Sequence, residues 1–104
     1  MRGATMDKKT VFVSQPIGNK SIEQINAEFD KIRLRLEAQG YDVKESYLCV
    51  KPGAKNVPLY CLAEVMKIIS NVDCVYFADG WKNNRACRIE HEACIHYDVK
   101  ILRD

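Results

Sequence analysis

Three times along this chain a short run of β-branched and aromatic residues gives way to apolar residues spaced three and four apart, and that alternation leaves few folds open. Thr10-Val11-Phe12-Val13-Ser14, bounded by Pro16 and Gly18, has the composition of a buried strand. Ser21 with Gln24 three residues later is a capping-box signature. Ile22, Ile25, Phe29, Ile32 and Leu36 then mark one face of a helix that Gly40 is placed to stop. Tyr41 to Tyr47 reads as a second, more polar strand, nearer a sheet edge. Residues 48–58, with Pro52, Gly53 and Pro58, read as a loop. Leu62, Val65, Met66 and Ile69 form a second helical stripe. Val72-Asp73-Cys74-Val75-Tyr76-Phe77-Ala78 is the strongest strand of the chain, ended by Asp79-Gly80. Trp81 to Asn84 leads into a third helix over residues 84–96, and Val99 to Leu102 closes the pattern as a last strand. The order βαβαβαβ predicts an α/β domain with a parallel sheet joined by right-handed crossovers. Residues 1–9 are polar and read as a flexible lead-in, leaving residues 10–104 as a single domain.

Ligands of such sheets sit beyond the carboxyl ends of the strands, where the strand order reverses. This rule puts Ser14–Lys20 and Asp79–Asn84 on one rim. In the first of these turns Ser14, Gln15, Pro16, Ile17 and Gly18 precede Lys20 and the Ser21 cap. Free backbone N–H groups, a glycine, two hydroxyls and a lysine are chemistry for an anion such as phosphate. Trp81 in the second can stack on a base or pack at an exposed edge.

Glu90 is the residue that a surface position does not explain. Ala86, Glu90, Ala93, Cys94 and Tyr97 share one face of the third helix, because steps of three and four return to the same side. A carboxylate among small apolar residues is either paired, here to Arg85 or Arg88, or faces a cavity. Burial would raise its pKa and the nearby helix N-terminus would lower it.

A metal site is not expected. His91 and His96 are five residues apart, about 140° around a helix, and cannot chelate one ion from the same intact helix. They read as surface or helix-end histidines. The five cysteines are odd in number and contain no C-x-x-C pair, so they read as buried small hydrophobes rather than a disulfide framework or zinc site. No cofactor is implied. Sixteen basic and fourteen acidic residues give a net charge of +2, too balanced for a nucleic-acid polymer or a membrane surface as partner. No apolar run approaches the ~20 residues that span a bilayer. Met1 to Thr10 lacks the apolar stretch of a secretion signal, so the expected location is cytoplasmic.

The segment Asp73-x-Val75-Tyr76-Phe77-x-x-Gly80-Trp81-x-Asn83-x-Arg85-x-x-Arg88-Ile89-Glu90-His91-Glu92 resembles the signature of a small bacterial and phage family of uncharacterised function within the nucleoside 2-deoxyribosyltransferase-like superfamily. Val11-Phe12-Val13-Ser14-Gln15-Pro16-Ile17 is similar to that family's first strand and turn, and the spacing agrees over residues 10–103. The resemblance implies a flavodoxin-like three-layer domain with strands in the order 2-1-3-4, and subunits that associate as a homodimer or higher homo-oligomer. It also implies a chemistry, in which a glutamate attacks the anomeric carbon of a 2-deoxynucleoside, releases the base and passes the sugar to water or another base. Glu90 falls on that glutamate.

The departures bear on catalysis. Phe12 stands where catalytic relatives have a tyrosine, and Val65 where a helix aspartate contacts the sugar, with Glu64 beside it. Gln15 replaces a glycine, and Asn84 and Ala86 replace the serine and glycine before the glutamate. The expectation is a protein that binds a nucleoside or nucleotide, with N-glycosidase or 2-deoxyribosyl transfer through Glu90. In that scheme the Ser14–Lys20 turn holds a phosphate or the sugar, while Trp81, Asn83, Asn84, Arg85 and Glu64 shape the pocket. Its alternative is a protein that binds or sequesters a nucleotide-derived metabolite without turning it over.

Overall fold

The computed structural model describes residues 8–45 and 53–103. Most of the polar lead-in, the end of the second predicted strand, Cys49 and Asp104 lie outside the described residues. Four strands, β1 (Thr10–Ser14), β2 (Asp42–Val43), β3 (Cys74–Phe77) and β4 (Lys100–Leu102), alternate with three helices, α1 (Ile22–Ala38), α2 (Val57–Ile69) and α3 (Arg85–His96). The sheet is parallel throughout, in the order β2-β1-β3-β4. This is the α/β architecture expected from the alternation.

Strand parity divides the core in two. Val11 and Val13 of β1 and Cys74 and Tyr76 of β3 pack with Phe29 and Leu36 of α1 on one face. Phe12, Val75 and Phe77 point the other way, into a cluster with Ile69 of α2 and Cys87 and Cys94 of α3. One helix therefore covers the first face and two cover the second, which is what right-handed crossovers demand when the chain steps from β1 to β2 and then back across to β3.

Side chains fix where each helix begins. Ser21 accepts from the Gln24 amide while the Gln24 side chain accepts from the Ser21 amide, the reciprocal box foreseen in the sequence. For α2 the expected loop gives up its last two residues. Asn56 caps the helix by accepting from the Leu59 amide at 3.0 Å, and Pro58 sits in the first turn. Proline is tolerated there because that turn leaves its N–H groups unused in any case. Before α3, Gly80 adopts φ 89° to turn the chain into a 3₁₀ turn over Trp81–Asn83. Asn84 then accepts from the Cys87 amide at 3.0 Å.

β2 pairs through only two residues, Thr10 with Asp42 and Val11 with Val43. That is shorter than the Tyr41–Tyr47 strand expected, whose last two residues lie outside the described region. At the entrance to the central pair, Asp73 accepts from both the amide and the hydroxyl of Thr10, at 2.8 and 3.0 Å, which locks β1 and β3 in register. These bonds hold the Asp73 carboxyl below its ordinary pKa. No helix among the described residues is long and apolar enough to cross a membrane.

Candidate functional site

β1 and β3 carry their chains into turns on the same rim. A Cβ placed on Gly80 would meet the Pro16 ring at 3.7 Å, so the two turns lie almost in contact. Ser14, the last residue of β1, shares the Phe12 side of the strand and therefore faces α2 and α3. From α3, Cys87, Glu90 and Cys94 face the sheet at steps of three and four. Glu90 and Ser14 meet there. Both are buried, with 5% and 1% of their surface exposed, and the Ser14 hydroxyl donates to Glu90 Oε1 at 2.5 Å. Ser14 Oγ also lies 3.3 Å from Cys87 Sγ.

This contact lies in the wall of a cavity of about 230 Å³ between β1, α2 and α3. Phe12, Ile17, Ile25, Leu62 and Val65 make the lining largely apolar, while Gln15, Asn84 and Glu90 add polar groups. Burial pushes the Glu90 carboxyl above its ordinary range, and the Ser14 hydrogen bond offsets part of that rise. The Cys87 thiol is pushed up to about 11, chiefly by burial, so it stays protonated at neutral pH and is no nucleophile. No ion pair to Glu90 forms among the described residues; Arg85 and Arg88 are exposed. Of the two readings open for this carboxylate, the cavity holds.

The other predicted residues separate. Ser14, Gln15, Ile17, Asn84 and Glu90 line this cavity; Pro16, Gly18, Arg85 and Glu64 do not. Glu64 pairs with Lys67 at 3.0 Å, while its neighbour Val65 faces the cavity. Tyr97, expected beside Glu90, is 81% exposed because α3 ends one residue earlier. The polar side chains expected to hold an anion at the Ser14–Lys20 turn are engaged within the protein. Lys20 Nζ pairs with Glu28 at 2.8 Å, Gln15 Nε2 donates to the Ile25 carbonyl and to Glu28, and Ser21 caps α1.

Trp81 and Asn83 line a second cavity, of about 420 Å³, beyond β3 and β4. There His91 stacks on Trp81 with ring centroids 4.1 Å apart, and Phe77 meets its edge at 4.9 Å. His91 is half-buried rather than the surface histidine expected, and the signal in the sequence was a Trp and a His bracketing a helix start. The cysteine reading also needs correction. Cys74, Cys87 and Cys94 are free and buried, but Cys61, in the lining of the first cavity, is disulfide-bonded to a partner outside the described residues. An odd count without a C-x-x-C pair carries no sign of such a bond, because bridges join residues close in space rather than in sequence.

Across residues 9–103 the chain matches the model of a family described as a domain of unknown function, DUF4406. The chain belongs to that family. The match takes in both rim turns, all three helices and Glu90. No curated protein and no solved structure matches the chain significantly.

Proposed function

We propose that this protein binds a 2-deoxynucleoside in the cavity over Glu90 and breaks its N-glycosidic bond, passing the sugar to water or to a second base. One observation carries the reading: a buried carboxylate, oriented by a serine hydroxyl, opening into an apolar cavity at the switch point of the sheet. The resemblance to the deoxyribosyltransferase-like superfamily supplies the chemistry. Glu90 Oε attacks the anomeric carbon, the bond from carbon to base nitrogen breaks, and the base leaves with the electron pair. The base takes its proton from solvent, because Glu90 is the one acid among the described lining residues. Water or another base then displaces Glu90. Desolvation makes the carboxylate a stronger nucleophile, and Ser14 fixes its attacking geometry.

The ligand in this reading is uncharged. No cation is among the described lining residues, and Lys20 is held by Glu28. Incubation with 2-deoxynucleosides should therefore release free base, detected by chromatography, and release should vanish in Glu90→Ala with the fold intact. A second reading, binding without turnover, is favoured by Phe12 and Val65, which give the cavity wall no hydroxyl and no second carboxylate. Saturable nucleoside binding that weakens in Glu90→Ala, with no base released, would select it.

The protein acts as a homodimer or a multiple of one in this proposal. α2 is strongly apolar, yet only Ile69 is buried while Val57 and Leu59 are 39% and 59% exposed. The same helix walls the cavity through Pro58, Leu62 and Val65, so a second copy laid on α2 would close the site. Sedimentation at micromolar concentration should show a dimer or a multiple of it; monomer alone would remove this part of the proposal.

A further inference from the structure

The second cavity has no part in the chemistry above, and its walls are of another kind. Lys82 from the 3₁₀ turn, Arg103 after β4, His91 of α3, Asp79 and Asn83 all line it, and both cations are near enough to act on His91. Neither Lys82 nor Arg103 forms an ion pair among the described residues. Lys82 Nζ lies 5.8 Å from the centroid of the Trp81 ring. At about 420 Å³ the space is within the ~300–1,000 Å³ of small-molecule sites.

From this arrangement we infer a second binding site, for a phosphate group, free or carried on a small hydroxylated ester. Lys82 and Arg103 provide two positive charges against the one of Asp79, and Arg103 brings a planar fork that matches two phosphate oxygens. Asp79 and Asn83 offer hydrogen-bond partners to the hydroxyls of an ester. His91 completes the set as a group that can gain a proton when an anion arrives. Its pKa lies below the ordinary value, held down first by burial, then by Arg103 and Lys82, with Glu92 acting the other way. An anion at this position reverses the repulsion from the two cations. Binding therefore takes up a proton and tightens as the pH falls through the titration of His91.

Trp81 is the only tryptophan of the chain and stacks on His91, so intrinsic fluorescence reads this site directly. The 104-residue chain is titrated with inorganic phosphate, with ribose 5-phosphate and with ribose. Both phosphates should give a saturable change and ribose none; tighter binding of the ester would assign the hydroxyl-binding role to Asp79 and Asn83. Lys82→Gln and Arg103→Gln should each weaken binding about tenfold, the loss of one charge-assisted hydrogen bond. Both side chains are exposed, so neither change threatens the fold. Sulfate, which does not titrate near neutrality, should bind more tightly at lower pH, and His91→Asn should flatten that dependence. An unsaturable response, a response equal to that of chloride, or binding unchanged in both charge variants would overturn the site.

Discussion

Glu90 and His91 are neighbours in sequence, yet they face different chambers. One step along α3 turns a side chain by about 100°, enough to put the acid in the apolar cavity beside β1 and the imidazole in the polar cavity beyond β4. Burial acts on both and in opposite directions, since it penalises whichever form carries charge: the carboxyl rises and the imidazole falls. Both groups are thereby biased toward their uncharged forms. The difference lies in what surrounds them. Among the described residues Glu90 has a single hydroxyl partner and largely apolar walls, as the proposed chemistry asks. His91 has aromatic rings and two nearby cations, as the proposed phosphate site asks.

Substitutions confined to one chamber test that division, and the largest effect belongs to the first. Ser14→Ala removes the donor that orients Glu90, and base release should fall by about 10²–10³, the usual loss for one preorganised donor. Phosphate-induced changes in Trp81 fluorescence should not move. A parallel loss in both assays would mean that the two cavities are one functional unit.

A smaller effect, on stability, follows from the raised pKa of Glu90. Its ordinary value is 4.5 and the folded value lies higher, so the folded state holds more protons than the unfolded state between the two. This group's contribution to stability therefore falls as the pH rises from 4.5 through the folded pKa, and stays low above it. Glu90→Gln keeps an oxygen for Ser14 and removes the ionisation. Thermal unfolding followed across this pH range should show a variant that is more stable at neutral pH and lacks that decline. Equal slopes for both proteins would place the carboxylate in a wetter site than its 5% exposure indicates. The smallest effect is expected from His91→Ala, which removes the stack on Trp81 and should cost about 1 kcal/mol in chemical denaturation. The pH dependence assigned to Glu90 should survive it.

The first chamber was the more legible in the sequence. Glu90 stood out because a charge on an otherwise small and apolar helix face has few explanations. The fold was legible for the same reason, since alternating strand runs and helical stripes admit few topologies. The contact between Glu90 and Ser14 was not, because 76 residues separate them and only the β1–β3 crossover brings them together. Yet Phe12 and Ser14, two apart on one strand, already shared a face. The second chamber was hidden for a different reason. Lys82, His91 and Arg103 come from a turn, a helix and a strand end, and no periodicity links them. The start of α2 is hidden because a proline after a glycine has the pattern of a loop, whereas the Asn56 cap makes Pro58 part of the helix's first turn.

The outer strands have a consequence for how copies of this protein can meet. β2 pairs through two residues and β4 through three, and charged residues flank both, Asp42 and Lys44 at one edge and Lys100 and Arg103 at the other. Edges so short and so charged make a poor template for another chain to extend by backbone hydrogen bonds, the step that seeds fibrils. In the dimer proposed above, association would fall to the helical layer instead, where an isologous patch closes on its partner and growth stops at a defined number of copies.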